Sequence, residues 1–138
     1  DLKKVFEEIK RVLKPGGRII CSTYGSGHMK EISMLVKDFD SRIVLSADRL
    51  YEKFGKQNGG ILLCEYFDDV LWSEYEDSLE VTKPEALISY VLSCHGNQNR
   101  FIVDRYSDFV AFVKKKTKDG FTVTKEAGVF KAVKRNKI

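Results

Sequence analysis

No apolar run in this chain approaches the roughly 18 residues that a membrane-spanning helix needs, and no signal-peptide pattern opens it, so no membrane partner is expected. Cysteine is scarce. Cys21, Cys64 and Cys94 are odd in number, far apart and set mostly among apolar residues. They indicate neither a zinc site nor a disulfide framework and read as reduced core thiols of a cytoplasmic protein. The two histidines, His28 and His95, stand too far apart in sequence to build a metal site. Repeats and low-complexity linkers are also missing. A chain of 138 residues, 43% hydrophobic and 32% charged, therefore reads as a single domain, 1–138, with a real core. The net charge of +4 traces to Lys114, Lys115 and Lys116 and to a terminal group of Lys131, Lys134, Arg135 and Lys137. Without interleaved stacking aromatics this is a solvated helix face and a basic tail, so nucleic acid as a partner is unsupported.

What is present begins with an amphipathic helix. Leu2, Val5, Phe6, Ile9, Val12 and Leu13 recur at spacings of three and four, with charge on the other face. Lys10, Arg11 and Lys14 suit the negative end of the helix dipole, and Pro15 forces Lys14 out of helical geometry, so the helix ends near Leu13 or Lys14. Lys14-Pro15-Gly16-Gly17 fits a type II turn, proline setting the second position and glycine the third. Ile19, Ile20 and Cys21 then form a short continuous apolar run. Such a run suits a strand covered on both faces, central in a parallel α/β sheet.

The stretch RVLKPGGRIICSTYG, Arg11 to Gly25, resembles the segment of class I S-adenosylmethionine-dependent methyltransferases that joins the helix after the fourth strand to the fifth strand. The specific likeness spans Leu2 to about Met29, and the later elements are similar in arrangement. The resemblance implies a Rossmann-like α/β fold, here its C-terminal part, whose last strand runs antiparallel. It implies S-adenosylmethionine as cofactor and methyl transfer, most simply to a small-molecule acceptor. The glycine-rich cofactor loop of that family is absent from these residues: Gly25 and Gly27 stand in GSGH, which lacks the third glycine of a dinucleotide fingerprint. The chain starts at Asp1, already inside a helix, as expected of a piece of a longer protein, and alone it is expected to be inactive. The alternative is a non-catalytic interaction or scaffolding module.

Downstream, Ile32, Leu35, Val36 and Phe39 predict a helix from about His28 to Asp38 with Ser26 as cap. Ser46 is expected to cap a short helix carrying Leu50 and Phe54, closed by a left-handed Gly55. Asn58 is expected to cap another with Ile61, Leu62, Leu63, Tyr66 and Phe67. Residues 28–67 thus read as a helical insertion over the acceptor site. Val70 to Tyr75 reads as a strand, which Ser78 to Val81 extends or pairs with. Thr82 and Glu85 bracket Pro84 as a capping box for a helix through Leu87, Ile88, Val91 and Leu92. HGNQN, His95 to Asn99, breaks that helix; a long one through Ile102, Tyr106, Phe109, Val110 and Val113 follows and stops at Asp119-Gly120. Phe121 to Lys125 and Gly128 to Lys134 are expected to form a terminal hairpin about Glu126-Ala127.

Ligands of open α/β sheets bind beyond the carboxyl ends of the parallel strands. Ser22, Thr23, Tyr24, Gly25, Ser26 and His28 fall there. Ser22 and Thr23 are candidates for the edge of a cofactor pocket. Tyr24 either contacts an acceptor or packs against the covering helices. His28 is either a general base or a polar first-turn residue, and Met29 either lines a pocket or belongs to the core. Tyr66, Phe67, Trp72 and Tyr75 either roof an acceptor pocket or fill a seam.

Overall fold

The amphipathic helix forms as its spacing dictates. In the computed structural model, which describes residues 1–136, α1 runs Leu2–Val12 and is capped by the Asp1 side chain, which accepts from the Lys4 amide. Gly16 has φ +76° and the Gly17 amide donates to the Lys14 carbonyl at 2.8 Å, which makes Lys14 to Gly17 a type II turn. β1, Arg18–Tyr24, leaves that turn. There follow α2 (Lys30–Phe39), α3 (Leu50–Lys53), α4 (Gly59–Cys64), β2 (Asp68–Val81), α5 (Pro84–Ser93), α6 (Gln98–Ile102), a 3-10 turn (Val103–Arg105), α7 (Tyr106–Lys116) and β3 (Phe121–Val133).

The result is a mixed α/β structure with one three-stranded antiparallel sheet, ordered β1-β3-β2. β3 pairs antiparallel with β1, from Arg18 opposite Val133 to Tyr24 opposite Ala127. Against β2, Gly128 lies beside the Ser73 carbonyl, Lys125 pairs with Asp77 at 3.2 Å and the Thr122 hydroxyl meets the Glu80 carboxylate at 2.8 Å. Numbers fall along one strand as they rise along the other, so this pairing is antiparallel as well. β1 and β2 therefore point the same way.

The chain divides into two compact units. The first comprises Asp1–His28, Leu50–Glu76 and the described residues from Glu126 onward; the second comprises Met29–Arg49 and Asp77–Lys125. The first has its own core of Phe6, Leu63, Phe67, Phe130 and Ala132, with Ile9, Leu13, Ile19 and Cys21 packed against it. In it Phe6 meets Phe54, Tyr66 and Phe67 at ring separations of 5.8, 5.4 and 6.4 Å. The core of the second is Ile32, Leu35, Val36, Ile43, Leu87, Ile88, Val91, Ile102, Phe109, Val113 and Val123. In it β3 is anchored to α2: the Met29 amide donates to the Thr124 carbonyl at 2.7 Å, and the Glu31 carboxylate accepts from the Thr124 amide and hydroxyl. The stretch 28–67, expected as one insertion, contributes to both cores.

Several expectations are corrected. β1 is an edge strand, and Ile20 is 63% exposed, because the first unit's helices cover only the face that carries Ile19 and Cys21. The terminal hairpin is one unbroken strand: the Gly25 amide donates to the Glu126 carbonyl at 2.8 Å, so residues 126 and 127 stay in register where a hairpin would need turn residues. Ser78 to Val81 extends β2. The capping box does not form: Lys83 becomes the cap and Pro84 the first helical residue, so Glu85 stands at the second position, one short of the third from which its carboxylate would reach back to the cap amide. Ser26 and Ser46 cap nothing: α2 starts after Met29, at φ 55°, and the Ser46 hydroxyl donates to the Asp48 carbonyl. Gly55 is not left-handed; a side chain there would collide with the Tyr51 carbonyl, 2.4 Å away. The long helix is split into α6, the 3-10 turn and α7. Cys64 is exposed, whereas Cys21 and Cys94 are half-buried. Lys137 of the basic tail lies outside the described residues.

Phe109 is fully buried and meets Phe39 edge to face at a ring separation of 5.1 Å. Phe109→Ala should lower stability in urea unfolding by about 3–5 kcal/mol, and a loss below about 1 kcal/mol would show that this core is not tightly packed.

Candidate functional site

The carboxyl end of β1 gathers side chains from three stretches of the first unit. Tyr24 closes the strand. Its ring lies 5.2 Å from the imidazole of His28 and 6.3 Å, edge to face, from Tyr51. The loop that follows turns back on itself, the His28 amide donating to the Gly25 carbonyl at 3.1 Å. This turn places His28 over Tyr24.

β3 supplies the fourth member. The Glu126 carboxylate accepts from the Gln57 side-chain amide at 2.7 Å, and the Gln57 carbonyl oxygen accepts from the Ser26 backbone amide at 3.3 Å. This chain of bonds explains the glycines of GSGH. A side chain at Gly25 would begin 1.8 Å from one Glu126 oxygen, and one at Gly27 would begin 2.4 Å from the other. Both glycines leave room for the close approach of this carboxylate, a use of glycine that needs no positive φ. Against a carboxylate so placed, an incoming phosphate or carboxylate would be repelled.

The Glu126 backbone amide donates to Nδ1 of His28 at 3.0 Å. An amide can donate only to an unprotonated ring nitrogen, so the imidazole is held as the tautomer with its proton on Nε2. In that state His28 is a hydrogen-bond donor. It could act as a base only after losing the Glu126 contact.

The remaining candidates are placed differently. The Thr23 hydroxyl donates to the Phe54 carbonyl at 2.7 Å, and the Tyr24 carbonyl accepts from the Lys56 amide at 3.2 Å; both bonds attach the end of β1 to the segment after α3. Ser22 is exposed. Met29 belongs to the second unit, where its sulfur accepts from the Tyr90 hydroxyl at 3.8 Å. Of the aromatics, Trp72 stacks on Phe130 at 4.7 Å and Tyr66 and Phe67 pack on Phe6, which fills the core of the first unit, while Tyr75 is exposed. Among the described residues no group of three or more His, Cys, Asp or Glu converges as a metal would require, and no helix is long and apolar enough to cross a membrane.

Sequence reasoning missed Tyr51, Gln57 and Glu126. The signal for Glu126 was the pair of glycines spaced by one residue, which asked for a close neighbour without naming it.

Gly25→Ala should push the Glu126 carboxylate aside and break its bond to Gln57, at a cost of about 0.5–1.5 kcal/mol in thermal or urea unfolding, the worth of one hydrogen bond. Glu126→Ala in the same background should restore part of that loss; an alanine at 25 that costs nothing would contradict the close approach. Comparison with known proteins adds no identity: no family model matches the chain, and no curated protein matches it.

Proposed function

We propose that this chain is the C-terminal, acceptor-binding part of a Rossmann-like class I methyltransferase, and that it serves transfer of a methyl group from S-adenosylmethionine to a small-molecule acceptor in the longer protein. One observation carries the reading: β1 and β2 run in the same direction and the last strand runs antiparallel to both. That matches the antiparallel final strand which the resemblance implies. The position of Tyr24, Tyr51 and His28 beyond the carboxyl end of β1 agrees with where open α/β sheets bind ligands.

These residues do not by themselves fit the cofactor. The GSG loop is filled by the Glu126 carboxylate, so it offers no open cradle. The role assigned to this chain is therefore positioning: the Tyr24 and Tyr51 rings give an acceptor an apolar, polarisable wall. Because the sulfonium is already activated, orientation in a dry site supplies much of the rate, and no general base is required of His28.

Binding of S-adenosylhomocysteine, measured by equilibrium dialysis, tests this. The protein as it occurs in its source cell should bind, and the isolated chain should not. In the native protein Tyr24→Ala should raise the acceptor KM by about tenfold, the worth of one aromatic contact, and leave cofactor affinity unchanged. A native protein that binds no S-adenosylhomocysteine sinks the proposal.

A second reading, an interaction module without chemistry, is favoured by the outer edge of β1. The bonds at Gly25 and Gly17 set the ladder so that residues 17, 19, 21, 23 and 25 face β3, which turns the backbone groups of Arg18, Ile20 and Ser22 to the open side. Open apolar edges pair with other strands. The isolated chain should therefore self-associate through Ile19 to Cys21 in sedimentation, and Ile20→Lys should make it monomeric. A wild-type monomer at high concentration, with fast amide exchange at these residues, would exclude such pairing.

A further inference from the structure

The second unit carries a cluster of arginines that neither functional reading uses. Asp40 follows the last turn of α2, and its carboxylate is nearly buried, with the side chain 8% exposed. One oxygen accepts from Nε and the backbone amide of Arg42, at 2.9 and 3.0 Å. The other accepts from Nη2 of Arg42 at 2.8 Å and from Nη2 of Arg105 at 2.7 Å. Two guanidinium groups thus share a single carboxylate oxygen.

Ring stacking fixes both groups and adds a third. Arg42 lies over the Phe101 ring at 4.4 Å and Arg100 over the same ring at 5.4 Å, while Arg105 lies over Phe39 at 4.6 Å. Arg105 also donates to the Phe101 carbonyl through Nε and Nη2, at 3.2 and 3.0 Å. Nearby, Lys37 donates to the Ile43 carbonyl at 2.9 Å. Among the described residues Asp40 is the one carboxylate in an ion pair with this cluster, through Arg42 and Arg105; Asp38 lies 3.8 Å from Lys116 instead, and no ion pair joins Asp104, beside Arg105 in sequence, to the three arginines.

The cluster therefore sets three positive charges against the one carboxylate bonded to them, with Arg42 and Arg105 held by hydrogen bonds and Arg100 resting on the Phe101 ring. Anchoring the loop after α2 needs one arginine on Asp40; the second and third add like-charge repulsion. The hydrogen bonds and the charge of Arg42, with a further bond from Arg105, hold the Asp40 carboxyl well below the usual carboxylate range, so its charge persists at neutral pH and the local excess stays near two. Arg42 and Arg105 remain 67% and 42% exposed in their side chains, leaving donor groups on the solvent side. Planar guanidinium forks held in place before a ligand arrives lose little freedom on binding, and phosphate oxygens match their geometry.

We propose that Arg42, Arg100 and Arg105 form a binding site for the dianionic phosphate group of a small molecule, a phosphate monoester or diphosphate. The site lies wholly in the second unit, and it stands or falls separately from methyl transfer.

The test follows the arginine Nε–Hε NMR signals of the isotope-labelled chain during titration with inorganic pyrophosphate at constant ionic strength. Saturable shifts confined to Arg42, Arg100 and Arg105 are expected, and sodium chloride should not reproduce them. Arg100→Gln, which breaks no bond to Asp40, should weaken binding roughly five- to tenfold, as loss of one charge-assisted contact implies, with the thermal midpoint unchanged. Shifts that rise linearly without saturating, or that are equal in Arg100→Gln, would overturn the proposal. So would displacement of pyrophosphate by an oligonucleotide whose affinity grows with its length, because the occupant would then be a polyanion.

Discussion

The structure depends on β3 being hydrogen-bonded on both sides at once. Thirteen residues, Phe121 to Val133, run between β1 and β2 without a break, and each unit builds its core on a different part of them. Phe130 and Ala132 anchor the helices of the first unit, and Val123 lies in the core of the second. A strand flanked on both sides satisfies its backbone donors and acceptors entirely within the protein, which lets its apolar residues be buried without leaving polar groups unpaired. Among residues of the sheet, Val123, Gly128, Phe130 and Ala132 of β3 reach full burial, whereas none in β1 does.

The same strand shapes the candidate site. Its centre passes the end of β1, so Glu126 presents its amide to His28, its carbonyl to Gly25 and its carboxylate to Gln57. Three contacts from one residue fix the loop after β1 and the tautomer of His28, and the carboxylate occupies the space that Gly25 and Gly27 leave open. A hairpin at this point would have lost all three, because residues 126 and 127 would have been spent on the turn.

The two faces of the first unit's sheet are unequal. Ile19 and Cys21 lie against the helices, while Ile20, at 63% exposed, lies on the other face. Leu71 of β2 is also exposed, at 61%. An apolar run that reads as doubly covered is here covered once.

The sequence by itself determined the local elements whose causes are local. The spacing of Leu2, Phe6, Ile9 and Leu13 set α1, and Pro15 and Gly16 set the turn, because each needs only neighbours in sequence and one steric rule; the last helix stops at Lys116, ahead of the expected Asp119-Gly120, and Gly120 takes φ +99° in the turn that follows. Tyr24 and His28 were also legible as neighbours, being four residues apart on either side of a tight loop. Tertiary structure decided the rest. The edge position of β1 depends on β3 being its one strand neighbour among the described residues, the exposure of Ile20 on which face the helices cover, and the continuity of β3 on partners more than forty residues away in sequence. Glu126 and Gln57 enter the site only through register between distant strands and loops, and the arginine cluster exists because α6 brings Phe101 beside the end of α2. Contacts of that kind leave no periodicity in the chain, since pairing energy is set by what lies opposite in space.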